Sequence, residues 1–290
     1  MKIPTYYKSK FFADTPTLSM RKLSLISKEV QEIGLSEIIE SKSDEHIIDK
    51  LTKLHSPKYV EAFVKGEGHL ASSNGWNWTK EIRDGVLAIN ESMVPAAEQA
   101  LSTGISSCIA AGFHHSSYDR GSAYCTFNGL ALVAQELPDK RVFVLDVDIH
   151  FGDGTRDFTR QLDNLYNFSI FGLALSSDEE TIHSWSRKVR SWIDYEAALA
   201  ESFVTILDVK PDLIIYQAGM DAYIHDSLGS GILTKLELQK RDRSVFEFTK
   251  QMNIPIVFVM AGGYNEKDTV SLHVETFKIA NEVYYGKTIK

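Results

Sequence analysis

Apolar residues along this chain fall into two patterns. Short, widely spaced runs occupy 105–110, 142–145, 213–216 and 256–260. The last three are continuous rather than alternating, as in strands buried on both faces of a parallel sheet. A further strand candidate covers 165–171. Stretches with helical spacing lie between the runs, at 80–102, 127–137, 189–207 and 236–252, with a closing helix at 269–284. Thr234, with Glu237 three residues on, marks a capping box at one helix start. Gly104 stops the first of these helices, and Pro95 is expected to kink or split it. The first 60 residues read as mostly helical, with segments at 22–33 and 43–54. The polar stretch 66–79 reads as a long loop, its Trp76 and Trp78 either rimming a site or covering the core. Strands alternating with helices predict an α/β fold with a mainly parallel sheet. No repeat, linker or composition shift interrupts the chain, so one domain is expected over residues 1–290.

Composition narrows the class. With 43% hydrophobic and 24% charged residues in 290, the chain is expected to be globular rather than disordered. No stretch approaches the ~18 apolar residues of a membrane span, and residues 1–6 lack the apolar core of a signal peptide. Two cysteines, Cys108 and Cys125, make a disulfide framework unexpected and point to a reducing, cytoplasmic setting. A formal charge of -8 argues against a nucleic-acid surface.

In open parallel sheets, ligands bind beyond the carboxyl ends of the strands. Four predicted strands end in chemistry: Gly112-Phe113-His114-His115, the run from Asp146 to Thr155, Gln217-Ala218-Gly219-Met220-Asp221, and Ala261-Gly262-Gly263-Tyr264. The Asp146-x-Asp148-x-His150 run is the sharpest. Residues two apart in an extended chain point to one side, with Cα atoms roughly 6–7 Å apart. Asp148 and His150 can therefore face one ion, and Asp221 is the natural third ligand of a catalytic Zn²⁺. The bland reading is that Asp146 and Asp148 only cap the following turn. His114 and His115 are either polar loop residues or a proton-transfer pair beside the metal, with Asp146 and Asp153 as acceptors for their rings. Tyr264 either packs at a strand end or offers a phenol to an oxyanion. The remaining histidines, at 46, 55, 69, 183, 225 and 273, lack ligand spacing and read as surface or structural.

These residues resemble the zinc-dependent histone deacetylase family. Matching segments run from His55 to Val60, through Gly112-Phe113-His114-His115 with Asp119-Arg120-Gly121, Phe127-Asn128, residues 146–155 and 217–221, to Gly262-Gly263-Tyr264. Ser19-Met20-Arg21-Lys22 and residues 75–79 are similar to the class IV branch and its bacterial relatives. The resemblance implies the arginase-deacetylase fold, a three-layer α/β/α sandwich around a central, mainly parallel sheet of about eight strands. It implies Zn²⁺ on Asp148, His150 and Asp221, and His115 as general base and then general acid. His114 would assist electrostatically. Asp146 would partner His114, Asp153 would partner His115, and Tyr264 would polarise the amide carbonyl. It also implies a substrate channel including Tyr124, Leu228, Gly262 and Gly263, and a structural K⁺ caged by Asp146, Asp148, His150, Ser169 and Ile170.

The implied activity is removal of acetyl or longer acyl groups from lysine Nε in proteins or peptides. The alternative is deacetylation of small amides such as acetylpolyamines, against which Leu228 counts. A non-catalytic acyl reader is the third reading, disfavoured because every catalytic group is retained. Departures concern the walls. Ala123-Tyr124 stand where the family has Gly-Phe, and Phe151 follows the ligand His in place of His or Gln. Ser116 replaces Ala, Gly129 an Asp, and Ser19 and Asn77 two class IV prolines.

Overall fold

The computed structural model describes residues 1–229 and 231–286. Its strands are β1 (Ile3–Tyr6), β2 (Ser36–Ile39), β3 (Ile105–Cys108), β4 (Val142–Asp146), β5 (Leu165–Phe171), β6 (Ser184–Lys188), β7 (Leu213–Gln217) and β8 (Ile256–Val259). They form one sheet in the order β2-β1-β3-β8-β7-β4-β5-β6, with every pairing parallel. Every residue of β3, β4, β7 and β8 is buried. That is what helices on both faces impose on central parallel strands.

Among the described residues the helices are α1 (Leu18–Glu32), α2 (Ile47–Leu54), α3 (Pro57–Lys65), α4 (Lys80–Thr103), α5 (Gly129–Glu136), α6 (Asp153–Phe158), α7 (Trp192–Val209), α8 (Lys235–Gln251) and α9 (Thr269–Tyr285). One layer is the succession α1, α9, α8, α7. The other is built on α4 and α5, with α2, α3 and α6 beside them. The architecture is thus the three-layer α/β/α sandwich of the arginase-deacetylase fold. Helix starts follow side-chain capping: Thr79, Asn128, Ser191 and Thr234 each accept a backbone N–H of the first turn, and Thr234 with Glu237 closes the expected capping box.

Three features depart from the sequence reading. The first 60 residues are not mostly helical, because β1 and β2 form one edge of the sheet. β1 carries Pro4 and β2 opens on Ser36-Glu37, so neither shows a strand-like apolar run. Edge strand β6, Ser-Trp-Ser-Arg-Lys, is likewise too polar to read. Pro95 does not split α4, which runs unbroken from Lys80 to Thr103. Buried Met93, Ala96 and Ala97 anchor the helix on either side of the proline, so tertiary packing overrides the missing N–H.

The sheet order does the positioning. The four strands that end in chemistry are neighbours at its centre, β3-β8-β7-β4. Their last residues are level: Cys108 pairs with Val259, Val259 with Gln217, and Gln217 with Asp146. The loops that follow therefore leave the sheet side by side.

Candidate active site

Asp148, His150 and Asp221 converge beyond β4 and β7. Each offers a ligand-type atom, and all three atoms lie within 4.8 Å of one another. His150 Nδ1 lies 3.1 Å from Asp148 Oδ1 and 2.9 Å from Asp221 Oδ2. The second oxygens are held by backbone. Gly262 N–H donates to Asp148 Oδ2 at 2.7 Å, and Ile149 N–H to Asp221 Oδ1 at 3.0 Å. Burial, then the charge of Asp148, pushes the Asp221 carboxyl up to about 7, while His150 is raised to about 11 because its carboxylate neighbours outweigh burial. Two buried carboxylates and one imidazole on a shared point form a donor set that fits a divalent cation such as Zn²⁺.

Gly262 makes that approach possible. A Cβ there would stand 2.3 Å from Asp221 Oδ2 and 2.6 Å from Asp148 Oδ2, so any side chain would displace the carboxylates.

The loop after β3 places His114 and His115 beside this cluster, both at most 4% exposed. His114 Nδ1 is 2.7 Å from Asp146 Oδ2, and His115 Nδ1 is 2.7 Å from Asp153 Oδ1. In each case the far nitrogen, Nε2, is left for chemistry. Burial opposes the charged form of both rings. For His114, Asp146 and Asp148 override burial and raise the pKa to about 9. For His115, burial and the neighbouring His114 bring it down to about 4. One ring therefore favours the cationic state and the other the neutral, proton-accepting state.

Tyr264 follows the β8 turn and lines the same cavity. Burial, with the nearby Asp148 and Asp221 charges, pushes its phenol well above the usual range, so it stays a hydrogen-bond donor. Its turn is braced by Lys22 from α1, a fully buried ammonium that donates to the carbonyls of Ala261 at 2.6 Å and Gly263 at 3.3 Å.

The cavity holds about 450 Å³. Its walls include Phe113, Tyr124, Cys125, Leu175 and Leu228, with His114, His115, Asp148, His150, Gly262 and Tyr264 in the lining. Gly263 is not among the lining residues. A Cβ placed there would meet Thr269, Met220 and His273. Asp221 also sits outside the lining, fully buried behind Asp148 and Gly262. Trp76 is 1% exposed and stacks on Tyr124 at 5.9 Å, so this indole backs the wall rather than rimming the mouth. Ala123 and Tyr124 adopt φ of 42° and 67°, a left-handed conformation that glycine would adopt without strain. Ser116 is buried, and its hydroxyl donates to the Thr126 carbonyl.

The sequence reads His55 as surface or structural, and Asp226 escapes that reading. His55 carries structure rather than chemistry: its Nδ1 meets the Ser117 carbonyl at 2.8 Å, and its Nε2 accepts from Asn128 N–H at 3.1 Å, tying the His114 loop to the start of α5. Asp226 meets the Tyr264 backbone. Its signal in the sequence is only an Asp with Gly three residues on, an ordinary turn pattern.

Comparison with known proteins agrees with this geometry. A family model described as "Histone deacetylase domain" matches residues 17–279. Histone deacetylase 2 of Arabidopsis thaliana is 28% identical over 187 residues, 58% of this chain and 46% of that protein. Acetylpolyamine amidohydrolase 1 of Pseudomonas aeruginosa is 28% identical over 170 residues, 52% of this chain and 48% of that protein. The matched segment thus spans about half the length of each of these two relatives. A crystal structure of acetylpolyamine aminohydrolase from Burkholderia pseudomallei superposes with TM-score 0.81 at 15% identity, over 97% of this chain and 99% of that one, a likeness of fold.

Proposed function

The chain belongs to the histone deacetylase family, and on that premise we propose that it is a Zn²⁺-dependent hydrolase that removes acetyl or longer acyl groups from lysine Nε. One observation carries the proposal. Asp148, His150 and Asp221 share one point with the His114–His115 pair beside it, and Tyr264 lines the same cavity.

Asp148, His150 and Asp221 would hold the metal, which when bound supplies a Lewis acid for the carbonyl and for water. The protein's own groups do the rest. Phe113, Tyr124 and Leu228 offer apolar walls to the alkyl part of an acylated amine. His115, its Nδ1 held by Asp153, takes a proton from the attacking water through Nε2 and gives it to the leaving amine. His114, held by Asp146, keeps positive charge beside the reacting carbonyl. Tyr264 donates its phenolic hydrogen to the oxygen on which negative charge develops. The products are a free amine and a carboxylate. A structural K⁺ on Asp146, Asp148, His150, Ser169 and Ile170 belongs to the same proposal, as does a single catalytic domain over residues 1–290. No helix among the described residues is long and apolar enough to cross a membrane.

A second reading, hydrolysis of acetylpolyamines, draws support from the Pseudomonas aeruginosa relative. Leu228 at the cavity, where a carboxylate would suit a polyamine, favours acyl-lysine. The deciding experiment is a panel of lysine peptides from acetyl to myristoyl, with acetylputrescine alongside, assayed with and without a chelator. Chelator-sensitive turnover of a peptide is the expected result. Faster turnover of acetylputrescine selects the second reading, and tight peptide binding without any turnover sinks both.

A further inference from the structure

Tyr264 is held from outside its own turn. Asp226 Oδ2 accepts the Tyr264 N–H at 2.6 Å, and Ser227 Oγ donates to the Tyr264 carbonyl at 3.0 Å. One residue on, the Asn265 side-chain amide donates to the His225 carbonyl at 2.6 Å. Three consecutive residues of one loop thus grip two consecutive residues of another. Both peptide groups of Tyr264 are engaged.

The gripping loop is itself fixed to the metal cluster. It begins at Asp221. Asp226 Oδ1 accepts the N–H groups of Leu228 and Gly229, both at 2.9 Å, closing a tight turn. Gly229 then packs on the Asp221 backbone so closely that a Cβ would stand 1.6 Å from its carbonyl oxygen. One carboxylate therefore uses one oxygen to shape the turn carrying Leu228 and the other to hold the residue bearing the phenol.

We propose that Asp226 is a positioning residue for the reaction, which sets the Tyr264 phenol relative to the Asp148–His150–Asp221 cluster. The proposal rests on the role given to Tyr264 above. Hydrogen bonds from a preorganised donor count only where the oxyanion will form, and a displacement of about 1 Å is enough to lose most of the effect. Lys22 and Asp148 brace the turn only as far as Gly263, so the backbone of Tyr264 itself depends on Asp226 and Ser227.

Asp226→Asn isolates the second oxygen. An asparagine has one acceptor and one NH₂ group. Two backbone N–H groups of its own turn compete with one from Tyr264, so Asn keeps the turn and releases Tyr264. The variant, a Tyr264→Phe variant and the double variant are compared as metal-loaded enzymes. In Asp226→Asn we expect kcat to fall about 10- to 100-fold with KM within about twofold, and metal content to be unchanged. In the Tyr264→Phe background the same substitution changes kcat by less than about twofold, since its effect runs through the missing hydroxyl. Amide exchange of segment 261–265 speeds up in Asp226→Asn. An equal loss in both backgrounds, a loss of metal, or unchanged exchange overturns the proposal. Wild-type kcat in Tyr264→Phe overturns instead the role of Tyr264. Faster exchange in Asp226→Asn would then still support the hold, now without a catalytic consequence.

Discussion

His114 and His115 are chain neighbours whose rings lie 4.1 Å apart, yet they answer to different carboxylates. Asp146, fully buried at the end of β4, holds His114, while Asp153, at the start of α6, holds His115. That division predicts different outcomes for the two Asp→Asn variants. Asp153→Asn puts an amide against His115 Nδ1. The amide can donate where the carboxylate only accepted, which favours the tautomer with Nε2 protonated, unable to take a proton. We expect kcat to drop roughly 100-fold or more, with metal content unchanged. Asp146→Asn removes the negative charge that favours cationic His114, and also disturbs the Asp148 N–H that Asp146 Oδ1 accepts at 3.1 Å. Its signature should therefore include reduced metal content, measured by elemental analysis of the two purified variants.

Metal loading should stabilise the fold. Asp148 and Asp221 are nearly or fully buried and point at a common position, a repulsion that a divalent cation relieves. A ligand at 100 times its Kd adds ~2.7 kcal/mol to a folded state that alone binds it. For a chain of this size that corresponds to roughly 5 °C or more in Tm. Chelated protein should melt lower, and added Zn²⁺ should restore the difference. Asp148→Ala and His150→Ala should melt at the same temperature with and without Zn²⁺. A zinc-dependent shift that survives in both variants would place the metal elsewhere.

Gly262→Ala tests how tightly the β8 turn is packed on the ligands. The new methyl would overlap one oxygen each of Asp221 and Asp148, at 2.3 and 2.6 Å. Neither carboxylate can yield without losing its direction toward the shared point. We expect Zn²⁺ affinity to fall at least about 10-fold, by analogy with other groups that orient metal ligands, while the circular dichroism spectrum stays native. Wild-type affinity would show that the turn can retreat.

How much of this was legible beforehand follows from the range of each interaction. Asp148 and His150 declare a shared direction because they sit two residues apart on an extended chain. Asp221 does not declare it. Its place beside them depends on β7 lying next to β4, although β5 and β6 intervene in the sequence. The central strands were readable from their apolar runs, whereas β1, β2 and β6 were not, since at or next to the sheet edges they carry proline or polar residues that packing does not exclude. Asp226 and Ser227 were invisible as well. Their partners are the backbone groups of Tyr264, 38 and 37 residues away, and backbone donors leave no trace in residue type.

His55 gives a prediction on pH. It is fully buried and neutral, because burial lowers its pKa to about 4 despite its contacts with the loop at Ser117 and Tyr118. In the unfolded chain its pKa is the ordinary ~6.5. Above pH ~6.5 both states are neutral, and His55 contributes no pH dependence. As pH falls from about 6.5 to about 4, the unfolded state takes up a proton that the folded state refuses. Stability then drops by up to ~1.4 kcal/mol per pH unit for this group, ~3 kcal/mol in all. His55→Gln cannot titrate, but its shorter, differently shaped amide leaves Ser117 O or Asn128 N–H unpaired, costing about 1–3 kcal/mol at pH 7. Urea unfolding of both proteins at matched pH should therefore show the variant less stable at pH 7. The gap should narrow steadily toward pH 4, as only the wild type carries the His55 proton penalty. A gap that stays constant over that range would mean that residue 55 titrates alike in both states, and that its burial does not hold the ring neutral.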